Sequence, residues 1–175
     1  MCVNVSSRQF LDAGLAGTIE EILAATGLEA RCLKLEVTES AFIGDVDAAR
    51  ATVQRLQHIG IEWSLDDFGT GYSSLSHLHR LQLDTVKVDR SFVLRMGEGN
   101  EGLEMVRAIV ALGHNLGMNV VGEGVETEAQ LTALRALGCE FCQGFLFSRP
   151  VDAQDATRLI ASQPMLASVV RTGRS

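Results

Sequence analysis

Two periodicities alternate along the chain. Short apolar runs rich in β-branched residues occupy 2–6, 33–39, 62–68, 85–89, 119–124 and 140–147, and read as strands. The segments between them repeat their apolar residues every three or four positions, the spacing of one helix face. Over 8–25 the set is Leu11, Leu15, Ile19 and Ile22; over 45–58 it is Val46, Ala49, Val53 and Leu56. Leu103, Val106 and Val110 carry it through 101–116, and Leu131 and Leu134 through 128–137. Ser6 with Gln9, and Thr127 with Gln130, have the spacing of capping boxes and are expected at the heads of the first and fifth helices. Gly27, Gly60, Gly117 and Gly138 follow helical segments as stop signals.

Six strand–helix units in this order predict an α/β fold with a parallel sheet. Alternation alone fits both a doubly wound sheet and a barrel; the polar positions choose between them. "VNV", "LEV" and "VKV" each set one polar side chain between two apolar ones, so Asn4, Glu36 and Lys87 lie on the face opposite their neighbours. Asp66, Glu123 and Gln143 fall near the ends of their strands. Strand ends converge on one mouth in a barrel and spread along an edge in an open sheet. The expected fold is a TIM-like (β/α) barrel, incomplete, with about six βα units. A full barrel of this type takes roughly 250 residues, and this chain has 175. The expected division is a partial barrel over 1–162 and a poorly ordered tail over 163–175. Because the first strand starts at residue 2, the chain reads as cut at its N-terminus. Two exposed edges, at "CVNVS" and "CQGFLF", then invite self-association or dimerisation.

Composition narrows the setting. The chain is 46% hydrophobic and 21% charged, which suits a folded core and not disorder. No apolar stretch approaches the ~18 residues of a membrane span, and the start has no signal-peptide pattern. Four cysteines do not make a disulfide framework, so a reducing, cytoplasmic location is expected. Cys139 and Cys142 form an isolated C-x-x-C, read as structural and not as a redox or metal pair. The net charge of −7, with no basic stripe, makes a nucleic-acid duplex a poor candidate partner, and none is expected. His58, His77, His79 and His114 are scattered on helical segments and are read as surface or packing residues.

The strand-end residues carry the chemistry. Glu36, Asp66, Asp67 and Glu123 would bring four carboxylates to one mouth against the single cation of Lys87. Such a cluster must protonate or bind cations. Its donors are all oxygen, which fits magnesium or manganese better than zinc or copper. Adjacent Asp66 and Asp67 can serve two neighbouring ions, and two ions about 3.5–4 Å apart suit in-line displacement at phosphorus. Lys87 can hold or help deprotonate the attacking water. A Schiff base on Lys87 is a competing chemistry, disfavoured because the surrounding acids keep the amine protonated. Singly, each residue also reads as an ordinary solvated strand end; their shared position distinguishes them.

In order along the chain, "NVS" (4–6), "LEVTES" (35–40), "DDFGTGYSSL" (66–75), "KVDRSF" (87–92), "EGVET" (123–127) and "QGFLFSRP" (143–150) resemble the successive motifs of the EAL domain family. These are bacterial phosphodiesterases that open cyclic di-GMP to linear pGpG with magnesium or manganese in second-messenger signalling. Over about residues 2–152 the resemblance implies that Asn4, Glu36 and Asp66 are metal ligands and that Asp67 serves the second ion. It implies that Lys87 holds the catalytic water and that Glu123 and Gln143 support the metal–water site. It makes Glu39 the residue that steadies the loop after the aspartates, a loop that also shapes dimer contacts. Gly122 stands where the family more often has alanine, and little effect is expected. The Glu-Ala-Leu triplet itself does not occur in the 175 residues, nor does the substrate-binding arginine close behind it; "GLEAR" (27–31) follows a helix and lacks the leucine. The resemblance thus implies a phosphodiesterase domain without its first strands, weak or inactive alone, with regulatory domains attached upstream. The alternative is a non-catalytic module that binds cyclic di-GMP or another protein.

Overall fold

The computed structural model describes residues 1–42, 46–69, 75–97 and 100–162. The expected tail, 163–175, and positions 70–74 of the loop after the aspartates lie outside the described residues.

Six parallel strands form one sheet in chain order: β1 Cys2–Asn4, β2 Lys34–Thr38, β3 Glu62–Phe68, β4 Thr85–Val88, β5 Asn119–Gly122 and β6 Phe141–Cys142. The helices are α1 Ser7–Phe10, α2 Leu15–Thr26, α3 Val46–His58, α4 Leu75–Leu81, α5 Arg90–Arg95, α6 Asn100–Asn115, α7 Glu128–Ala136 and α8 Ala153–Ser162. Strand order that never reverses is the wall of a barrel; a doubly wound sheet would switch direction. The architecture is an incomplete TIM-like barrel, open between β1 and β6.

Register separates two faces. Asn4 stands opposite Glu36, Glu36 opposite Ser64, Ser64 opposite Thr85 and Thr85 opposite Asn119. This polar face lines the barrel interior, where Lys34 Nζ reaches Glu62 at 2.9 Å and Thr85 Oγ1 at 3.2 Å. The other face carries Leu35, Trp63, Leu65, Val86 and Val120, buried beneath the helices. There they meet Phe10, Val53 and Leu56, Val106 and Val110, and Leu134. Phe10 stands edge-on to both Trp63 and Phe42, with ring centroids 5.5 and 5.3 Å apart.

Both capping boxes form. Gln9 N donates to Ser6 Oγ at 3.3 Å and Ser6 N returns to Gln9 Oε1 at 3.0 Å. Thr127 and Gln130 repeat the exchange at 3.2 and 3.0 Å, heading α7 because helices as short as α4 and α5 leave little periodic signal. The single helix expected over 8–25 is two. Asp12 Oδ1 accepts from Gly14 N at 2.8 Å and breaks the chain between α1 and α2. The buried face of α2 is consequently Ala16, Ile19 and Leu23, while Leu11 and Ile22 point to solvent. The strand expected over 140–147 shrinks to two residues. Leu146 N donates to Val125 O at 2.9 Å and Phe147 N to Gly144 O at 3.1 Å, folding the segment into a turn. At Gly122 a methyl would lie 2.7 Å from Cδ1 of Leu134, the far end of a buried side chain that would have to shift to admit it.

Candidate active site

Each of the six strands carries an expected polar residue in it or directly after it, and β3 carries two, Asp66 and Asp67. Lys87 stands at the centre. Its Nζ reaches Glu123 Oε1 at 2.7 Å, Asp66 Oδ1 at 2.9 Å and Glu36 Oε2 at 3.0 Å. The lysine side chain is 7% exposed and the three carboxylates no more than 16%. Burial pulls the amine's pKa down, but the hydrogen bonds it donates to Glu123, Asp66 and Glu36 more than offset it and hold it above the ordinary lysine value. Three carboxylates within 3.0 Å of Nζ favour the protonated amine, which disfavours it as a Schiff-base nucleophile.

Asp66 and Asp67 occupy a β-bulge. Register runs from Leu65 opposite Val86 to Phe68 opposite Val88, so β3 takes three steps where β4 takes two. Strict alternation would send adjacent side chains to opposite faces; the extra residue re-aims one of them. Asp67 absorbs the irregularity with φ of 53°, a left-handed conformation that aspartate tolerates better than most residues. Its amide donates to Asp66 Oδ1 at 3.1 Å. The result is that carboxylate oxygens of Asp66, Asp67 and Glu123 lie within 4.8 Å of one another. Both Asp67 and Glu123 are held above the usual carboxylate range. For Asp67 the causes are burial and then the charges of Asp66 and Asp89, against Lys87. For Glu123 burial leads, opposed by Lys87 and assisted by Asp66 and Glu36. Three carboxylates this close together could hold a metal ion.

The remaining expected residues sit around this cluster. Asn4 is exposed on the edge strand, opposite Glu36 in register. Gln143 follows β6 and is exposed; its amide donates to Gly122 O at 2.8 Å and its carbonyl accepts from Val125 N at 3.0 Å. Glu39 is buried at the start of a 3₁₀ turn, Glu39–Phe42; the loop it is expected to steady falls mainly in 70–74, outside the described residues.

Beside Glu123 lies a cavity of about 200 Å³ lined by Arg90, Glu123, Gly124, Glu126, Gln143, Gly144 and Phe145. Arg90, Glu126 and Phe145 are absent from the sequence-derived set. Each lies inside one of the quoted motifs, but their meeting is a matter of long-range packing that the sequence does not show. Arg149 stacks over the Phe145 ring at 4.7 Å. The C-x-x-C is taken up locally: Cys139 Sγ donates to Phe141 O at 3.1 Å and Val120 O at 3.4 Å. His114 pairs with Glu140 at 2.9 Å, away from the cluster.

Residues 2–150, spanning all six strands, match the family described as the EAL domain. Over 161 residues the chain is 44% identical to MucR of Pseudomonas aeruginosa, a bifunctional diguanylate cyclase/cyclic di-GMP phosphodiesterase; the match covers 92% of this chain and 24% of MucR. It is also 44% identical over 151 residues to the cyclic di-GMP phosphodiesterase NbdA of the same organism, covering 86% of this chain and 19% of NbdA. The structure of the MucR phosphodiesterase in its c-di-GMP complex superposes with a TM-score of 0.84 at 44% identity, over 89% of this chain and 63% of that one. The manganese and cyclic di-GMP complex of BlrP1 from Klebsiella pneumoniae superposes at 0.76 with 35% identity, over 85% and 38%. This chain spans only about a quarter or less of the curated MucR and NbdA sequences. With a match that runs through every strand of the open barrel, the chain belongs to the EAL domain family.

Proposed function

We propose that this chain carries most of the active-site wall of a cyclic di-GMP phosphodiesterase that opens the cyclic dinucleotide to linear pGpG. The observation that carries the reading is the bulge in β3, which brings Asp66 and Asp67 together against Glu123. The donor set fits a pair of hard divalent ions, magnesium or manganese: it is all oxygen, and burial, with the neighbouring acids, holds the Asp67 and Glu123 carboxyls above the ordinary range. Asp66 and Asp67 would hold the ions, with Glu36 and Asn4 flanking and Glu123 and Gln143 supporting. When bound, such ions lower the pKa of a water and neutralise a phosphodiester. Lys87 keeps Glu36, Asp66 and Glu123 in one orientation and presents a protonated amine that orients the attacking water. The cavity along Arg90, Gly144 and Phe145 gives the nucleotide a wall beside the cluster.

Relatives crystallised with cyclic di-GMP, one of them also with manganese, support this assignment. The chain spans 63% of the MucR phosphodiesterase chain, so the isolated chain should turn over only weakly. We extend the reading to a cytoplasmic location, self-association through the open edges, and regulatory domains attached in the longer protein. Incubation of purified chain with cyclic di-GMP and Mn²⁺, with calorimetry for binding and chromatography for pGpG, tests the proposal. Binding with slow pGpG formation is expected. Binding with no product even at long times favours the non-catalytic module, and no binding at all removes the cyclic di-GMP assignment.

A further inference from the structure

We infer that Arg90 is a positioning residue, part of a clamp that holds the Glu123 strand end against the Lys87 strand end. Arg90 opens α5 directly after Asp89, whose Oδ1 accepts from Ser91 N at 3.0 Å, and lies three residues beyond Lys87. Its stem crosses Gly124, where a side-chain carbon would overlap Arg90 Cβ, Cγ and Cδ. Gly124 has φ of 67°, so the loop after β5 accepts this crossing only as glycine. Beyond Gly124 the guanidinium bonds Glu126 Oε1 at 2.6 Å. Glu126 is itself anchored, its amide donating to Gln130 Oε1 at 2.8 Å at the head of α7. The two heads, of α5 and α7, are thereby tied across the gap that Glu123 spans. Inside the tie, Glu123 N donates to Val88 O at 3.2 Å and its carboxylate meets Lys87 at 2.7 Å.

The Arg90 and Glu126 side chains are 55% and 36% exposed. An ion pair that open contributes little to overall stability, so removing it leaves the fold standing while freeing the Glu123 loop. The charge of Arg90 acts in the opposite direction. A cation beside a divalent-metal site repels the metal, so its removal through charge alone would tighten metal binding. Positioning and charge therefore differ in sign.

The test compares the full chain with Arg90→Ala, Arg90→Lys and Glu126→Ala by two readouts. The first is hydrogen exchange of the Glu123 and Val125 amides in metal-free protein. The second is Mn²⁺ affinity by electron paramagnetic resonance, which rests on the metal-site reading above. Arg90→Ala and Glu126→Ala should each exchange those amides about tenfold faster and weaken Mn²⁺ about tenfold, the scale of losing an outer-shell partner. Arg90→Lys should recover most of both, and the double alanine variant should be no worse than either single one. Unchanged exchange, or Mn²⁺ affinity unchanged or tighter in Arg90→Ala, overturns the clamp. If the unsubstituted chain binds no Mn²⁺, the metal-site reading falls, and the exchange rates alone decide whether the clamp exists.

Discussion

Replacing Lys87 with methionine keeps the aliphatic stem and removes the one charge that three buried carboxylates share. Each charge-assisted bond from that amine is worth roughly 1.5–3 kcal/mol, but the three are not additive, and burying the lysine itself costs several kcal/mol that the variant regains. What remains is the penalty of leaving Glu36, Asp66 and Glu123, each no more than 16% exposed, without a counter-ion. Removing one member of a buried pair costs about 3–5 kcal/mol, a large share of the stability of an ordinary domain. Trp63 is the only tryptophan and is fully buried in β3, so its fluorescence reports urea unfolding directly. The pH dependence has a definite sign. Glu123 already has a folded pKa above its unfolded value, and Lys87 is the influence that lowers it. Without Lys87 it rises further, so the ionised carboxylate opposes folding at neutral pH and the penalty fades as pH falls through the raised value. Lys87→Met should therefore lose about 3–5 kcal/mol at pH 7.5 and less at pH 5. Equal deficits at both pH values, or a deficit under about 1 kcal/mol at pH 7.5, would refute the view that this lysine neutralises the acids.

Asp67→Asn keeps a side chain that tolerates the left-handed backbone at that position. Because the folded Asp67 carboxyl is raised, its contribution favours the fold below the unfolded carboxyl pKa and is lost as pH rises. The metal-free variant should thus be at least as stable as the parent at neutral pH, while losing the Mn²⁺ stabilisation, about 2.7 kcal/mol at a hundredfold excess over Kd; thermal shifts with and without Mn²⁺ check both halves. Gly144→Ala drives a methyl into the Val125 carbonyl and amide, backbone atoms that cannot rotate away. It should cost about 2 kcal/mol, and a urea midpoint equal to the parent's would contradict this packing. β1 and β6 each pair on one side only among the described residues, with Val3 and Phe141 exposed there. Light scattering should show oligomers growing with concentration, and a monomer at every concentration would contradict edge pairing.

The polar–apolar alternation was readable because each strand packs one face under helices and turns the other into the barrel. Asn4, Glu36 and Lys87 announce that arrangement within three residues apiece. The bulge is not readable in the same way. "DDF" by itself gives no sign that Asp67 adopts a positive φ, which follows from how β3 meets β4. The end of β6 was misjudged because its aromatic composition suits a strand, whereas contact between Gly144 and the β5 loop turns the chain aside. On α2, large apolar residues suggested a face through Leu11 and Ile22, but the Asp12 turn starts the helix afresh and exposes both, at 58% and 54%. Arg90 and Glu126 lie 36 residues apart, and only tertiary structure joins them.

Crystals soaked in Mn²⁺ and measured at the manganese absorption edge address the site most directly. Anomalous density between the carboxylates of Asp66, Asp67 and Glu123, lost in Asp67→Asn, is the predicted result. Manganese bound only elsewhere, or no density at full soaking concentration, would contradict a metal-dependent phosphodiesterase site at this mouth.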